Sequence, residues 1–291
     1  MSSRLPPEIF NKLDPTYQSK ILLLERRLNS TENPDKKQEY LDSFYENFLM
    51  PGEFIDEMLK QRDEYFIDMG STYRRYCQAF SKATKKKVCE MMSEDVKTRA
   101  DHFYFRDYYS DGILEKSIYA CSIMKTKLQR SDLLEQKTVE FAEERLRYPH
   151  ENMNEYLIKY ECLSSNPIPQ SLIEKSKEMY NLYQQIKKAN DDYEEWIKLL
   201  SFVNDHEFLK NTVEIRIGKN LTDKKLWKAY IKYLESYNVK EMLQVYSKYC
   251  RFFLDDVEML KEYLEKGKQH GLIEVIWKPQ YSFERQCIRK D

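Results

Sequence analysis

Residues 221–256 read "LTDKKLWKAYIKYLESYNVKEMLQVYSKYCRFFLDD". Large apolar side chains return every three or four positions, as in Leu226, Trp227, Tyr230, Tyr233 and Leu234, and an acidic pair, Asp255 and Asp256, closes the stretch. Returns of three and four lie on one face of an α-helix, whereas a strand alternates every second residue. The stretch is therefore helical. Its aromatic and acidic residues have two readings at this point: groups of a reactive site, or the packed face and the caps of a helix pair.

The neighbouring sequence favours the second. In "DDYEEWIKLLSF", "TDKKLWKAYIKYLES" and "DDVEMLKEYLEKG" an Asp stands four residues before a large apolar leader: Asp192 before Trp196, Asp223 before Trp227, Asp256 before Leu260. The three Asp residues are 31 and then 33 positions apart. Three residues after each leader comes Leu199, Tyr230 or Tyr263, on the same helical face. A second helix accompanies each first one, and Met179, Val213 and Val245 register with one another at spacings of 34 and 32. Two helices per repeat unit of this length predict a solenoid of helical hairpins, each burying its apolar face on the next. One register then explains all three Asp residues as N-caps, since a carboxylate at a helix start accepts from free backbone N–H groups and suits the dipole.

The first-helix Trp-x-x-Tyr and the second-helix segments "SKEMY" (176–180) and "LQVYSKY" (243–249) resemble the half-a-TPR (HAT) repeat of RNA-processing factors, whose second helix reads approximately Ala-Arg-x-Ile-Tyr-Glu-Arg-Ala. Ser176, Met179 and Tyr180 fall on the Ala, Ile and Tyr places, Val245, Tyr246 and Lys248 on the Ile, Tyr and Arg places, and Val213 and Arg216 on the Ile and Arg places. Leu234 stands where a Glu is common, and Tyr183 and Tyr249 where a small residue is. The resemblance runs from about 152 to 268, and "TYRRYCQAF" (72–80), "HFYFRDYYS" (102–110) and "LEKSIYACSIM" (114–124) look like degenerate members, Ile118 and Tyr119 echoing Met179 and Tyr180. It implies an all-α, right-handed superhelical solenoid of antiparallel helix pairs. The expected division is divergent N-terminal repeats over 1–150, HAT-like repeats over 151–270 and an extended tail over 271–291. The repeat core would comprise Trp196, Leu199, Trp227, Tyr230, Leu260, Tyr263, Met179, Tyr180, Val213, Val245 and Tyr246. The implied role is a non-catalytic nuclear scaffold that joins protein subunits of a ribonucleoprotein complex in pre-mRNA splicing or 3′-end processing, with dimerisation through the repeats as a further mode.

Composition fits long helices. Only 6 Gly and 9 Pro interrupt 291 residues of which 33% are charged, and no convincing sheet is read from the pattern. With 48 Lys plus Arg against 49 Asp plus Glu, the long-range field neither draws in nor repels a polyanion, so RNA contact is expected to be weak or indirect. Six cysteines without a CxxC pair and four scattered histidines give neither a disulfide framework nor a zinc site, which suits an intracellular chain. The opening "MSSRLPPEIF" lacks an apolar leader core, and the longest aliphatic run, "ILLL" at 21–24, is far short of a bilayer span, so no membrane association is expected.

The remaining motifs are weighed in the same way. "DDYEE" at 191–195 is similar to the Asp-rich magnesium-and-diphosphate motif of all-helical isoprenoid enzymes, which would make Asp191, Asp192 and Glu195 metal ligands; helix capping competes with that reading. No Gly-x-x-x-x-Gly-Lys, HExxH or GxSxG occurs, and His150, following Pro149, reads as a turn residue rather than a catalytic one. Neither a cofactor nor a metal is expected. The run at Lys85, Lys86 and Lys87 is either a solvated helix face or an import or phosphate-contacting patch. In the tail "LIEVIWKPQYSFERQCIRKD", Ile273, Val275 and Trp277 alternate and Pro279 blocks further helix. That segment either caps the last apolar face or docks a partner through Trp277, Tyr281 and Phe283. A TPR-like adaptor unconnected with RNA is the alternative binding role.

Overall fold

A computed structural model of the chain describes residues 3–51, 54, 143, 145–275 and 277–286. These residues form ten helices: α1 (Pro7–Phe10), α2 (Pro15–Asn29), α3 (Pro34–Tyr45), α4 (Met153–Leu163), α5 (Gln170–Lys188), α6 (Tyr193–Ser201), α7 (His206–Lys219), α8 (Lys224–Tyr237), α9 (Val239–Cys250) and α10 (Val257–His270). Two short strands, β1 (Ile273–Val275) and β2 (Glu284–Gln286), pair in parallel with Ile273 opposite Glu284. This small pair corrects the expectation of no sheet. Residues 72–80, 102–110 and 114–124, with their degenerate repeats, and the Lys85–Lys87 run lie outside the described residues.

The chain divides into two compact units, one of residues 1–109 with 217–291 and one of residues 110–216, the boundary falling within α7. In the first unit, proline opens α1, α2 and α3, where its fixed φ suits the first helical turn and its missing N–H is not needed. The buried carboxylate of Glu25 on α2 accepts from Ser3 Oγ and Arg4 N at 2.7 Å each, fastening the leading segment. α2 and α3 pack on each other, and Tyr17 joins them to the C-terminal helices. Its ring lies 6.1 Å from Phe44 and 4.8 Å from Phe252, and its hydroxyl donates to Leu49 O.

Asp14 and Asp255 bind each other's segments across this junction. Asp14 is the N-cap of α2 but gives its carboxylate to Asp255 N (3.3 Å) and Lys224 Nζ (2.9 Å). Asp255 in turn accepts from Thr16 N at 3.0 Å, satisfying a first-turn donor of α2 from a distance of 239 residues in sequence.

α8, α9 and α10 pack in succession. Asn238 alone separates α8 from α9, ending one helix and capping the next by accepting from Glu241 N at 3.3 Å. Trp227 is 0% exposed; it meets Tyr249 and Phe253 edge-on at 6.0 and 6.4 Å, and its indole N–H donates to Leu221 O at 2.9 Å. The opening stretch of sequence is core. Tyr230, Leu234, Val245, Tyr246 and Tyr263 are buried with it.

In the second unit, α5 packs on α6, burying Met179, Trp196, Leu199 and Leu200, while Phe208 and Val213 are buried from α7. Tyr148 stacks on Phe208 at 5.5 Å and donates to Asp205 (2.9 Å), whose other oxygen accepts from Phe208 N at the start of α7. Two expected core positions are corrected. Tyr180 is 40% exposed, because the buried face of α5 runs through Leu172, Ser176, Met179, Leu182 and Ile186 and leaves Tyr180 on its flank. Leu260 is half-buried, because α10 turns Met259, Tyr263 and Gly267 inward.

Trp227→Ala is expected to lower stability by about 3–5 kcal/mol as a core truncation, and Asp223→Ala by about 1 kcal/mol as a lost cap. Denaturant titration followed by far-ultraviolet circular dichroism reads both; equal effects from the two variants would refute this division of roles.

Candidate functional site

The acidic residues with the appearance of chemistry sit at helix starts. Asp192, Asp223 and Asp256 accept from the backbone N–H three residues on, at Glu195 (3.2 Å), Leu226 (3.2 Å) and Met259 (3.3 Å). Glu195 pairs with Lys198 at 2.9 Å, and Asp191 accepts from Asn190 Nδ2 at 3.3 Å. Asp191, Asp192 and Glu195 are thus held in local contacts. Among the described residues no group of three or more His, Cys, Asp or Glu side chains is placed to hold a metal ion.

Asp256 has a second task. Its Oδ2 accepts from Tyr249 Oη at 2.6 Å and pairs with Lys228 at 3.5 Å, so one carboxylate joins α8, the end of α9 and the start of α10. Burial opposes its ionisation, but the Tyr249 hydroxyl, the Met259 N–H and the nearby lysines outweigh that and lower its pKa. Tyr249 is driven the other way, first by burial and then by donating to Asp256; Tyr246, which donates to Glu262 at 2.9 Å, is raised for the same reasons. Burial pushes the Cys250 thiol up to about 12. At neutral pH these groups stay protonated, which makes Tyr246 and Tyr249 hydrogen-bond donors and Cys250 a poor nucleophile.

The most developed polar site lies under the tail. Arg251, at the end of α9, grips Glu284 of β2 bidentately, with Nη1 to Oε1 at 2.9 Å and Nη2 to Oε2 at 2.8 Å. Glu284 also accepts from Tyr263 Oη (2.6 Å), Ser247 Oγ (3.1 Å) and Gln280 N (2.8 Å). Arg251 further donates to Ser247 and to Lys278 O (3.2 Å), and its guanidinium lies 5.2 Å from the centre of the Trp277 ring. Burial alone would raise the pKa of Glu284, but the hydrogen bonds and charge of Arg251 reverse this and lower it. Trp277, 2% exposed, and Phe283 are buried here, and Tyr281 packs edge-on against Tyr263 at 5.8 Å. Of the two readings of the tail, covering an apolar face or docking a partner, the burial of Trp277 and Phe283 against the chain itself fits the first. Arg251 and Glu284 escaped the sequence reading. The available signal was a charge set directly beside aromatic residues in each of two runs, Arg251 before Phe252 in "KYCRFFL" and Glu284 after Phe283 in "QYSFERQ".

In the second unit His150 is fully buried and lies edge-on to Tyr156 at 5.1 Å. Asn152 N donates to Nδ1 at 3.1 Å, which leaves the ring hydrogen on Nε2 to donate to Arg145 O at 3.1 Å. Burial lowers its pKa to about 4. Arg216 of α7 holds its guanidinium 4.5 Å from the Trp196 ring and 4.9 Å from the Tyr193 ring, and donates to Asn190 O at 2.7 Å, joining a second-helix arginine to the aromatics of the helix before it.

Among the described residues, large apolar side chains facing solvent include Ile158, Tyr180 and Phe202 in the second unit and Leu23, Tyr237, Val257 and Leu272 in the first. Tyr237 stacks on Tyr233 at 5.8 Å, and between them in sequence Glu235 pairs with Lys266 of α10. Exposed tyrosines backed by a buried helix face are rigid, amphipathic anchors of the kind that dominate protein interfaces. No described helix is long and apolar enough to cross a membrane. No protein-family model matches the chain, and no curated protein is detectably similar to it in sequence.

Replacing either partner of the buried pair, as in Arg251→Met or Glu284→Gln, is expected to destabilise by about 3–5 kcal/mol. The double variant should fall well short of the sum in a denaturation cycle; additive losses would show that the two charges do not act together. The histidine makes a separate prediction. His150 is kept neutral when folded and binds a proton more readily when unfolded, so its contribution is whole above pH about 6.5 and declines by up to about 3 kcal/mol as the pH falls towards 4. The stability of His150→Gln should vary less over that interval, and an unchanged pH slope would contradict the assignment.

Proposed function

We propose that this chain is a non-catalytic helical-repeat scaffold that holds protein subunits together in an RNA-processing ribonucleoprotein complex, in pre-mRNA splicing or 3′-end processing, and that it works in the nucleus. The observation that carries the reading is the recurrence of one arrangement: an Asp cap at 192, 223 and 256, an apolar leader four residues on that is buried at Trp196 and Trp227 and half-buried at Leu260, and a buried second-helix residue at 213 or 245. Arg216 on the Trp196 ring adds support, since the arginine place of the HAT pattern meets its tryptophan place there. The groups with shifted proton affinity favour a scaffold too, because Tyr246, Tyr249 and Cys250 are held protonated and Glu284 is held ionised against an arginine. A near-neutral charge balance gives little unspecific hold on phosphates, so protein contacts carry the binding and RNA arrives through partners.

Cross-linking the tagged chain in cells, followed by identification of bound proteins and RNA, tests this. Subunits of an RNA-processing particle should be recovered, and should remain after nuclease treatment. Recovery of chaperone or transport adaptors without RNA-processing subunits would favour the TPR-like adaptor instead. Tyr237→Asp and Phe202→Asp should reduce recovery while changing stability by no more than about 0.5 kcal/mol, because both side chains already face water.

A further inference from the structure

After α10 the chain turns at Gly271, whose φ of +87° lies in the region that favours glycine, and returns across α9 and α10. The returning strap, Leu272–Val275 and Trp277–Gln286, differs from the rest of the first unit in three ways. Among the described residues its strands pair only with each other. It enters through a single glycine hinge. Its attachment is concentrated in one seat: Ile273, Val275, Trp277 and Phe283 are buried, and Glu284 inserts between Arg251, Tyr263 and Ser247. The Phe283 ring lies directly on Gly267, where even a Cβ would collide with it. The seat is therefore cut to the strap's shape, and its buried guanidinium requires a carboxylate from whatever occupies it.

We infer that this seat is a binding site for an extended aromatic-acidic segment, and that a second copy of the chain supplies that segment by exchanging straps. The argument is complementarity. The strap carries the carboxylate and the aromatic side chains that fit the seat, and every copy presents both halves. Turning outward at Gly271 instead of back lets one copy's Trp277, Phe283 and Glu284 enter the other's seat while its own receives the same groups. Each contact is conserved in the exchange, so the two-fold dimer lies close in energy to two monomers and is favoured by concentration. Glu46 and Lys278, paired at 2.6 Å on the surface, re-form across the copies in the same way.

A charge swap isolates the inference from the scaffold reading, since it needs no other protein. Arg251→Glu places a carboxylate in the seat opposite Glu284, and Glu284→Arg places a guanidinium in the strap opposite Arg251. Each variant alone repels its own strap, so chymotrypsin should cut after Trp277, Tyr281 or Phe283 at least tenfold faster than in the native chain, with the helical circular dichroism retained. Mixed in equal amounts, the two variants regain both pairings, but only between copies: the native Arg251 of one meets the native Glu284 of the other, and the two introduced charges meet with their positions reversed. Light scattering should then show twice the monomer mass, and the strap should regain its protection. A mixture that stays monomeric and cleavable overturns the inference, and so does loss of helix in either variant alone, which would make the strap inseparable from the core. The native chain gives a second readout. Concentrated in mild denaturant and returned to buffer, it should yield a dimer that dissociates slowly on dilution; monomer alone at every concentration overturns the exchange.

Discussion

The buried contact between Arg251 and Glu284 is the point on which three segments of the first unit depend. Neither charge reaches water, so each has lost its hydration, and the loss is offset by two parallel hydrogen bonds between the charges, by Tyr263, Ser247 and Gln280 on the carboxylate, and by Ser247 and Lys278 O on the guanidinium. Such a pair adds little to stability relative to an apolar pair of similar volume, but it penalises every arrangement that leaves one charge behind. It therefore fixes where the strap lies. The backbone of the same arginine fixes a second neighbour, since Arg251 O accepts from Leu49 N at 3.3 Å, just where Tyr17 binds the carbonyl of Leu49. One residue thus sits between α9, the strap and the N-terminal segment.

What the sequence made legible was what is local. A cap acts over three residues and an aromatic face repeats over three or four, so Asp192, Asp223, Asp256, Trp196, Trp227 and Tyr230 could be read from spacing alone. The helical character followed from the same periodicity. Tyr180 departs from its expected place for a local reason as well: a pattern match fixes position along a helix better than rotation about it, and one residue turns the side chain by about 100°. The junctions were not legible. Asp14 accepts from Asp255 N over a gap of 241 residues, and Arg251 finds Glu284 over 33. Nothing in a single sequence ranks one distant charged partner over another, because the ranking is made by burial that exists only after folding.

That limit bears on the site. The groups with the appearance of chemistry are acids, while those that organise the fold are tyrosines answering acids. Tyr249 with Asp256, Tyr246 with Glu262 and Tyr263 with Glu284 repeat one device, a hydroxyl at a helix interface donating to a carboxylate of the following helix or strap. A tyrosine fits such a joint because its ring fills the apolar space while its hydroxyl satisfies the charge, so neither packing nor polarity is sacrificed. Its proton is held more tightly as a result. The abundance of tyrosine in this chain thereby has a structural explanation at these three interfaces.

The same device separates rigid from available surface. Where a tyrosine hydroxyl is engaged beneath a helix, the interface has one geometry and little freedom to accommodate a visitor. Tyr237, stacked on Tyr233, and Tyr180, on the flank of α5, turn ring surface to solvent instead. Tyr237 is exposed because it is the last residue of α8, and Tyr180 because it lies beside the packed face of α5, so both rings stand on helices that the core already holds in place. The two roles fall on different helices: the engaged rings of Tyr246, Tyr249 and Tyr263 belong to α9 and α10, and the solvent-facing rings of Tyr180 and Tyr237 to α5 and α8.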